Sequence, residues 1–347
     1  MTVVDCAGTG RERGRAHGEQ AREAVRAALD RWRADVGGGA AGLVHTSPLP
    51  GTLRRLVPDL ADELRGIAEG AAVPFEDVVA YNCMDEQWWL GRRHRRRAGC
   101  SVLGERAADG TRLAQNMDLP PSMDGTQIVL RLRPADGPEQ LVLSAAGLIG
   151  LTGVNAAGVA VCVNTLGMLH GGPRGLPVAA VIRGALAGRT RQEALAFLSS
   201  VPHASGQHYA VADAGGLDSV ECSAGGVVPW LAPGAGRLVH TNHPLANTDV
   251  DPVALEELRA EGRIGDSRAR LDFLERAMGP SEGTAGLERL LEDDTVPVCM
   301  SGRPGWPMRT FGTVAYELGA QVRARFRLGL PGRAAWIEPG WTTAPAA

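Results

Sequence analysis

A change of pattern near residue 100 sets the architecture this chain can adopt. Ahead of it, apolar residues recur at helical spacing among charges. "GRAHGEQAREAVRAALDRWRAD" (14–35) reads as a helix, and "TLRRLVPDLADELRGIAEGA" (52–71) as one or two helices interrupted at Pro58. "PFEDVVAYNCMDEQWWL" (74–90) reads as a third, with Pro74 near its start and Glu76 and Asp77 in its first turn. From Cys100 to about Val163 the chain instead alternates short apolar runs with Gly, Asp and Asn. "CSVLGERAADGTRLAQNMD" is strand, turn, strand, with Asp109-Gly110 as the hairpin signal. "TQIVLRLRP", "EQLVLSAAGLIGLTGVN" and "GVAVCVNTL" continue that pattern. Two helices return over 177–201, strands in "HYAVADAGGLDSVECSAGG", "VVPWLA" and "GRLVHTNHP", a helical stretch over 251–279, and a last strand pair in "TFGTVAYELGAQVRARFRLG". Blocks in the order helices, sheet, helices, sheet, helices, sheet predict an α+β fold with helices layered over two mainly antiparallel sheets. With no internal repeat and no long linker, one domain over 1–347 is expected.

Composition narrows the function classes. The 347 residues are 44% hydrophobic and 22% charged, enough for a sizeable core. A net charge of −3 gives no reason to expect a nucleic-acid partner. Every side-chain ammonium or guanidinium is arginine, since the chain has no lysine, which reads as coding bias toward GC-rich codons. The opening "MTVVDCAGTGRERGRAHGEQ" has no apolar core of a signal peptide, and no apolar run reaches the ~18–20 residues of a membrane span, so a soluble cytoplasmic protein is expected. Cys6, Cys83, Cys100, Cys162, Cys222 and Cys299 form neither a CxxC pair nor a zinc pattern, so free thiols and no metal are expected.

The segment "RRHRRRAGCSVLGERAADGTRLAQNMDL" (92–119) poses the chemical question. Its arginine run reads as a solvated loop, with no aromatic interleaving of the kind RNA binding needs. Cys100 is either a packed core thiol or a nucleophile. If the Gly99–Cys100 bond were cut, Cys100 would head its own chain, and its α-amine, with an unperturbed pKa of about 7.7–8.0, would serve the thiol as base. The thiol itself can make that cut by attacking the preceding carbonyl, giving a thioester that water opens. Gly99 suits the step, having no side chain in the way and tolerating strained backbone.

Five segments in this order carry a resemblance: "RERGRAHGEQAREAV" (11–25), "LRGIAEGAAVPFEDVVAYN" (64–82), "GCSVLGERAADGTRLAQNMD" (99–118), "GLTGVNAAGVAVCVNTL" (150–166) and "LVHTNHPL" (238–245). Together they resemble the acyl-coenzyme A:6-aminopenicillanate acyltransferase family of N-terminal-nucleophile hydrolases, the C45 peptidases, over about residues 11 to 320. The resemblance implies a four-layer αββα sandwich, made as a precursor that cuts itself into an α chain (1–99) and a β chain (100–347) that stay associated. It implies Cys100 as nucleophile, Asp118 beside the new amino terminus, and Asn242 of "HTNH" as donor to the developing oxyanion. Arg309 stands where the family often has a basic residue before the final strand pair, and Asn164 of "CVNT" resembles a second oxyanion position. The implied substrate is a small-molecule amide or acyl thioester, with no cofactor, and with coenzyme A thioesters entering only as acyl donors.

Other residues carry blander expectations. Asp118 and Asn242 could each be a turn residue ahead of a proline. His240 and His243 flank Asn242 and invite a metal or a Cys-His pair, but an available α-amine leaves them structural or supporting roles. Glu105 and Arg106 are expected to face solvent, Trp88 and Trp89 to pack in the core or a pocket wall, and Arg303 to lie in a surface loop. Two competing functions remain open at this point. One is an inert member of the fold that acts as a binding protein; the other is an uncleaved thiol hydrolase with His240 or His243 as base.

Overall fold

The computed structural model describes residues 2–37, 39–91, 99–230, 236–279, 282–301 and 308–342. The arginine run 92–97, Arg303 and the end of "VVPWLA" lie outside the described residues. Strand β1 (Val3–Gly8) leads into helices α1 (Gly10–Gln20), α2 (Arg22–Val36), α3 (Ala40–Thr46), α4 (Leu49–Leu56), α5 (Pro58–Ala71), α6 (Phe75–Asn82) and α7 (Gln87–Leu90). Six strands follow: β2 (Ser101–Ala107), β3 (Gly110–Leu119), β4 (Gln127–Pro134), β5 (Gln140–Ala145), β6 (Thr152–Asn155) and β7 (Ala160–Thr165). Helices α8 (Val178–Ala185) and α9 (Arg191–Ser200) precede β8 (Gln207–Asp213), β9 (Gly216–Ser223), β10 (Gly226–Pro229) and β11 (Arg237–His240). The chain closes with α10 (Pro252–Ala260), α11 (Arg263–Ala277), α12 (Gly283–Leu291), β12 (Arg309–Gly319), β13 (Val322–Arg327) and β14 (Trp336–Ile337).

Two sheets form, one ordered β1-β4-β5-β6-β7-β8-β9-β10 and the other β11-β2-β3-β12-β13-β14. All pairings are antiparallel except β1 with β4. Strands β2 and β3 face β7, β8 and β9 across the interior, α1, α8 and α9 pack on the first sheet, and α11 and α12 on the second. This is the four-layer αββα arrangement. The stretch 14–35 is two helices rather than one, because Ala21 leaves helical geometry at φ −109, ψ 22. The stretch 74–90 likewise divides into α6 and α7, while Pro58 starts α5 where its missing N–H costs nothing.

Helix α1 carries glycine at every fourth position, and that spacing lets it lie directly on α5. A Cβ at Gly14 would sit 1.9 Å from the Glu63 carbonyl oxygen, and one at Gly18 2.4 Å from that of Ile67. The close approach brings Arg13 onto Glu63, whose carboxylate also takes Arg183 from α8, at 2.8 and 2.6 Å, with all three side chains buried. Burial opposes ionisation of Glu63, but Arg183 and Arg13 outweigh it and hold its carboxyl below the usual range.

One surface expectation is corrected. Glu105 is buried rather than solvated, because its carboxylate accepts the backbone N–H groups of Glu282 and Gly283 at 2.9 Å each, at the N-terminus of α12. Arg106 is exposed.

Candidate active site

The β2–β3 hairpin pairs Ser101 with Asn116, so Cys100, one residue ahead of β2, lies against the far end of β3. Its Sγ is 3.6 Å from Met117 Sδ. Asp118 is the next residue, and β12 supports it from the other side through the Thr310–Asp118 pairing, next to a bulge. Thr310 Oγ1 donates to Asp118 Oδ1 at 2.6 Å, while Oδ2 is buried with no hydrogen-bond partner among the described residues. Burial pushes the Asp118 carboxyl up to about 7, against the Thr310 bond and the Arg270 charge. The Cys100 thiol is pushed up to about 12, first by burial and then by Asp118, with the Asp118 backbone N–H and Arg270 pulling the other way. In the unbroken chain the sulfur is therefore a thiol, with the Asp118 backbone N–H beside it.

Gly99 packs where no side chain fits. A Cβ there would meet Asp118 Cβ and Met300 Sδ, each at 2.9 Å. The bond ahead of Cys100 thus lies against the carboxylate-bearing carbon of Asp118.

Arg270 of α11 ties the site together. It is buried, its Nη1 donates to the Cys100 carbonyl oxygen at 2.7 Å and to Ser101 Oγ at 2.9 Å, and its Nη2 donates to Asn242 Oδ1 at 2.8 Å. With Oδ1 occupied, the Asn242 amide is turned so that Nδ2 faces Thr165, whose carbonyl oxygen it reaches at 3.1 Å. Ser267 Oγ fixes the Asn242 backbone N–H at 2.8 Å.

Cys100, Asp118 and Thr165 line a cleft of about 540 Å³, walled by Trp88, Leu148, Leu151, Val163, Val178 and Ile182, with Asp85 among its polar groups. A second hollow of about 610 Å³ shares the Met84, Asp85, Trp88 and Leu119 wall. This is a mostly apolar site with a few polar groups.

The structure brings Cys100, Asp118 and Asn242 together and leaves Asn164 and Arg309 apart from them. Asn164 is buried with its side chain spent on the His240 carbonyl oxygen, 3.3 Å, and His208 Nδ1, 2.7 Å, so its amide is not directed at the cleft. Arg309 pairs with Asp124 at 2.8 Å on the other side of β12. His240 has both ring nitrogens engaged, by Thr241 O and Glu221 Oε1, and stacks on His208 at 3.6 Å. His243 bonds Ser267 Oγ at 2.8 Å, and burial pushes its ring down to about 4. Neither histidine lines the cleft, and both brace the loop that carries Asn242. Trp88 is a cleft wall, as expected, and Trp89 donates its indole N–H to the Leu169 carbonyl at 2.8 Å. Among the described residues, no group of three His, Cys, Asp or Glu side chains is placed to hold a metal ion, and no helix is long and apolar enough to cross a membrane.

Sequence reasoning missed Arg270 and Thr310. Arg270 sits in "SRARLDF" among other arginines of an ordinary charged helix, and only the fold turns this one inward. Thr310 follows Arg309, and its role depends on strand register, where a one-residue step reverses the face.

The family model described as "Acyl-coenzyme A:6-aminopenicillanic acid acyl-transferase" matches residues 106–326. The chain is 29% identical to the acyl-coenzyme A:6-aminopenicillanic-acid-acyltransferase 40 kDa form of Emericella nidulans, over 95% of this chain and 93% of that one. Among solved structures, a mutant conjugated bile acid hydrolase from Clostridium perfringens is similar at TM-score 0.43 and 13% identity, over 69% of this chain and 92% of that one. Penicillin V acylase from Agrobacterium tumefaciens is similar at TM-score 0.38 and 15% identity, over 69% of this chain and 86% of that one.

Proposed function

The chain belongs to the acyl-coenzyme A:6-aminopenicillanic acid acyl-transferase family, and we propose that it is a self-processing cysteine amidohydrolase or acyltransferase. Its substrate is a small-molecule amide or acyl thioester, and the reaction passes through an acyl group on Cys100. The observation that carries the reading is that Cys100 and Asp118 line one mostly apolar cleft, while Arg270 bridges Cys100 to Asn242, whose amide reaches the Thr165 wall.

Processing comes first. Cys100 Sγ adds to the Gly99 carbonyl carbon while the thiol proton passes to the Asp118 carboxylate. The C–N bond breaks, the nitrogen takes a proton, and water opens the resulting thioester. The products are a carboxylate at Gly99 and a free α-amine at Cys100. Asp118 is then the counter-ion of that amine.

In turnover the thiol gives its proton to the α-amine and its sulfur attacks the substrate carbonyl. Asn242 Nδ2 donates to the oxyanion, a contribution of roughly 3–4 kcal/mol for one such donor. The α-ammonium protonates the leaving group, and water or an acceptor amine takes the acyl group from sulfur. The α and β chains stay together, because β1 is a full strand of the sheet built by the β chain and Glu63 reaches Arg183 across the cut.

Two measurements test the reading. Denaturing electrophoresis of the purified protein should show fragments ending at Gly99 and starting at Cys100, and Cys100→Ala should remain one chain. Mass spectrometry after incubation with a panel of N-acyl amines and acyl thioesters should show an acyl adduct on Cys100. An unbroken chain that turns over the panel removes the α-amine mechanism.

A further inference from the structure

Glu221, in β9, is a buried carboxylate with N–H donors on both oxygens. Its Oε1 accepts His240 Nε2 at 2.8 Å and the Leu245 backbone N–H at 2.6 Å. Its Oε2 accepts the backbone N–H groups of Ala246 and Asn247 at 3.0 and 2.6 Å. Its own carbonyl oxygen accepts the Asn247 side-chain amide at 3.1 Å. Every one of these contacts goes to residues 240–247, the segment that carries Asn242. Burial opposes ionisation of Glu221, but His240 and the loop N–H groups outweigh it and hold its carboxyl below the usual range.

An ionised Glu221 fixes the charge of its partner. His240 Nε2 faces that carboxylate, and Nδ1 faces the Thr241 carbonyl oxygen at 2.9 Å. Neither oxygen has a proton to give, so both ring nitrogens donate, and the ring is an imidazolium. His208 stacks on it at 3.6 Å and 4°, with Nδ1 against Asn164 Oδ1 and Nε2 against Ser219 Oγ. A hydroxyl can donate where a carboxylate cannot, so a neutral His208 satisfies both of its contacts. Burial, and then the His240 charge, push the His208 ring well below its ordinary value. The stacked rings therefore hold one positive charge, and Glu221, the cross-strand partner of His208, balances it.

The ion pair joins the two sheets at the site. Glu221 belongs to the first sheet, and His240 ends β11 in the second, opposite Val102, which is two residues past Cys100. Ser267 and Arg270 hold Asn242 from α11, whereas Glu221 grips the chain on either side of it, at 240 and at 245–247. Neither Glu221 nor His240 lines the cleft. We propose that the Glu221–His240 ion pair is the positioning element of the oxyanion donor, clamping the loop so that the Asn242 amide keeps one place relative to Cys100. The proposal rests on the acyl-cysteine reading above and gives a charged pair that touches no substrate a part in the transition state.

The test is a double-mutant cycle with a spectroscopic arm. Rates are read on self-processed protein with the p-nitroanilides and S-ethyl thioesters of acetate, hexanoate and benzoate. Glu221→Gln keeps the size but offers one acceptor oxygen where two are in use. It should lower kcat by about tenfold or more and leave KM nearly unchanged. In an Asn242→Ala background the same substitution should cost less than about twofold, because the group it positions is gone. A full loss in that background, an unchanged kcat, or a loss confined to KM overturns the proposal. If Glu221→Gln does not fold, His240→Gln takes its place in the cycle with the same expectation, since it keeps an N–H for the carboxylate but no charge. Ring-nitrogen NMR of wild type at neutral pH should show one histidine protonated on both nitrogens, absent from His240→Gln; a neutral His240 overturns the proposal. Absence of a Cys100 adduct from every substrate would instead fail the acyl-cysteine reading. Positioning is then read from the Asn242 side-chain amide signal, identified by its loss in Asn242→Ala. That signal should move in Glu221→Gln, and an unmoved signal rejects the ion pair as its positioning element.

Discussion

Arg270 Nη2 donates to Asn242 Oδ1 at 2.8 Å, and the same guanidinium holds the Cys100 carbonyl oxygen through Nη1 at 2.7 Å. One buried cation therefore sets both the amide face that Asn242 offers and the position of the backbone that carries the sulfur. Arg270→Met keeps the volume but strands three buried acceptors, the Cys100 carbonyl oxygen, Ser101 Oγ and Asn242 Oδ1. The expected result is a fall in kcat/KM of about 10²–10³-fold, carried mainly in kcat, since oxyanion donation acts in the transition state. Arg270→Lys should recover little, because a single ammonium cannot make the two-armed contact. Steady-state kinetics on the processed variants check this, and an unchanged kcat in Arg270→Met would remove the arginine from the site's machinery.

Gly99 is constrained by space as well as by chemistry. A methyl at that position would stand 2.9 Å from Asp118 Cβ and from Met300 Sδ. Met300 is a flexible side chain that can yield, whereas Asp118 is fixed by Thr310 and by strand pairing. Gly99→Ala should therefore push the scissile carbonyl and the carboxylate apart and slow processing by about tenfold or more, the scale of a small misplacement of reacting groups. A time course on denaturing gels reads the rate. Processing at the wild-type rate would mean that Asp118 takes no part in the cut.

How much of this was legible beforehand follows from range. The two-sheet architecture rests on period-two runs and turn residues, which are local, and Asp109-Gly110 closed a hairpin where expected. Strand β1 was missed because six residues ahead of a long helical block carry little pattern, and its partner β4 is far along the chain. Cys100, Asp118 and Asn242 were named by resemblance; strand register sets Cys100 against the end of β3 that carries Asp118, and Arg270 bridges Cys100 to Asn242. Arg270 and Thr310 were invisible, because an arginine on a charged helix and a threonine on a strand become site residues only through packing. Glu105 misled for the same reason: its partners, Glu282 and Gly283, are a helix N-terminus that nothing local announces.

Glu63 joins what processing would separate. It lies in the prospective α chain, is buried, and receives Arg183 of the β chain at 2.6 Å together with Arg13 of its own chain at 2.8 Å. Removing one member of a buried ion cluster leaves the others uncompensated, at a cost of about 3–5 kcal/mol. Glu63→Gln should lower the unfolding midpoint and let the two fragments separate in mild denaturant that leaves wild type joined. The carboxyl is held below its ordinary value, so its contribution is present above that value and is lost as pH falls through the lowered one. Size-exclusion chromatography across acid pH should show wild-type fragments parting at lower pH than pairs carrying a weakened cluster such as Arg13→Gln.

Asp118 makes the opposite linkage. Its carboxyl is raised from an ordinary 3.8 to about 7, chiefly by burial. Between those values the folded chain binds a proton that the unfolded chain has released, so stability falls as pH rises through the interval and levels off above it. At ~1.4 kcal/mol per pKa unit the fully developed cost is at most about 4 kcal/mol. Asp118→Asn accepts the Thr310 hydroxyl as before and cannot ionise. In a Cys100→Ala background, which keeps the chain in one piece, Asp118→Asn should match its parent near pH 4. It should become progressively more stable than the parent up to pH 7, and hold that margin at pH 8. The self-processed protein should show a much flatter profile, because the freed α-ammonium gives the carboxylate a partner and pulls its pKa back down. Urea unfolding at five pH values for the two backgrounds reads both effects. A parent and variant that stay parallel across the range would mean that the Asp118 carboxyl titrates in the uncut chain as it does unfolded, and so lacks the raised basicity that suits it to take the thiol proton in the cut.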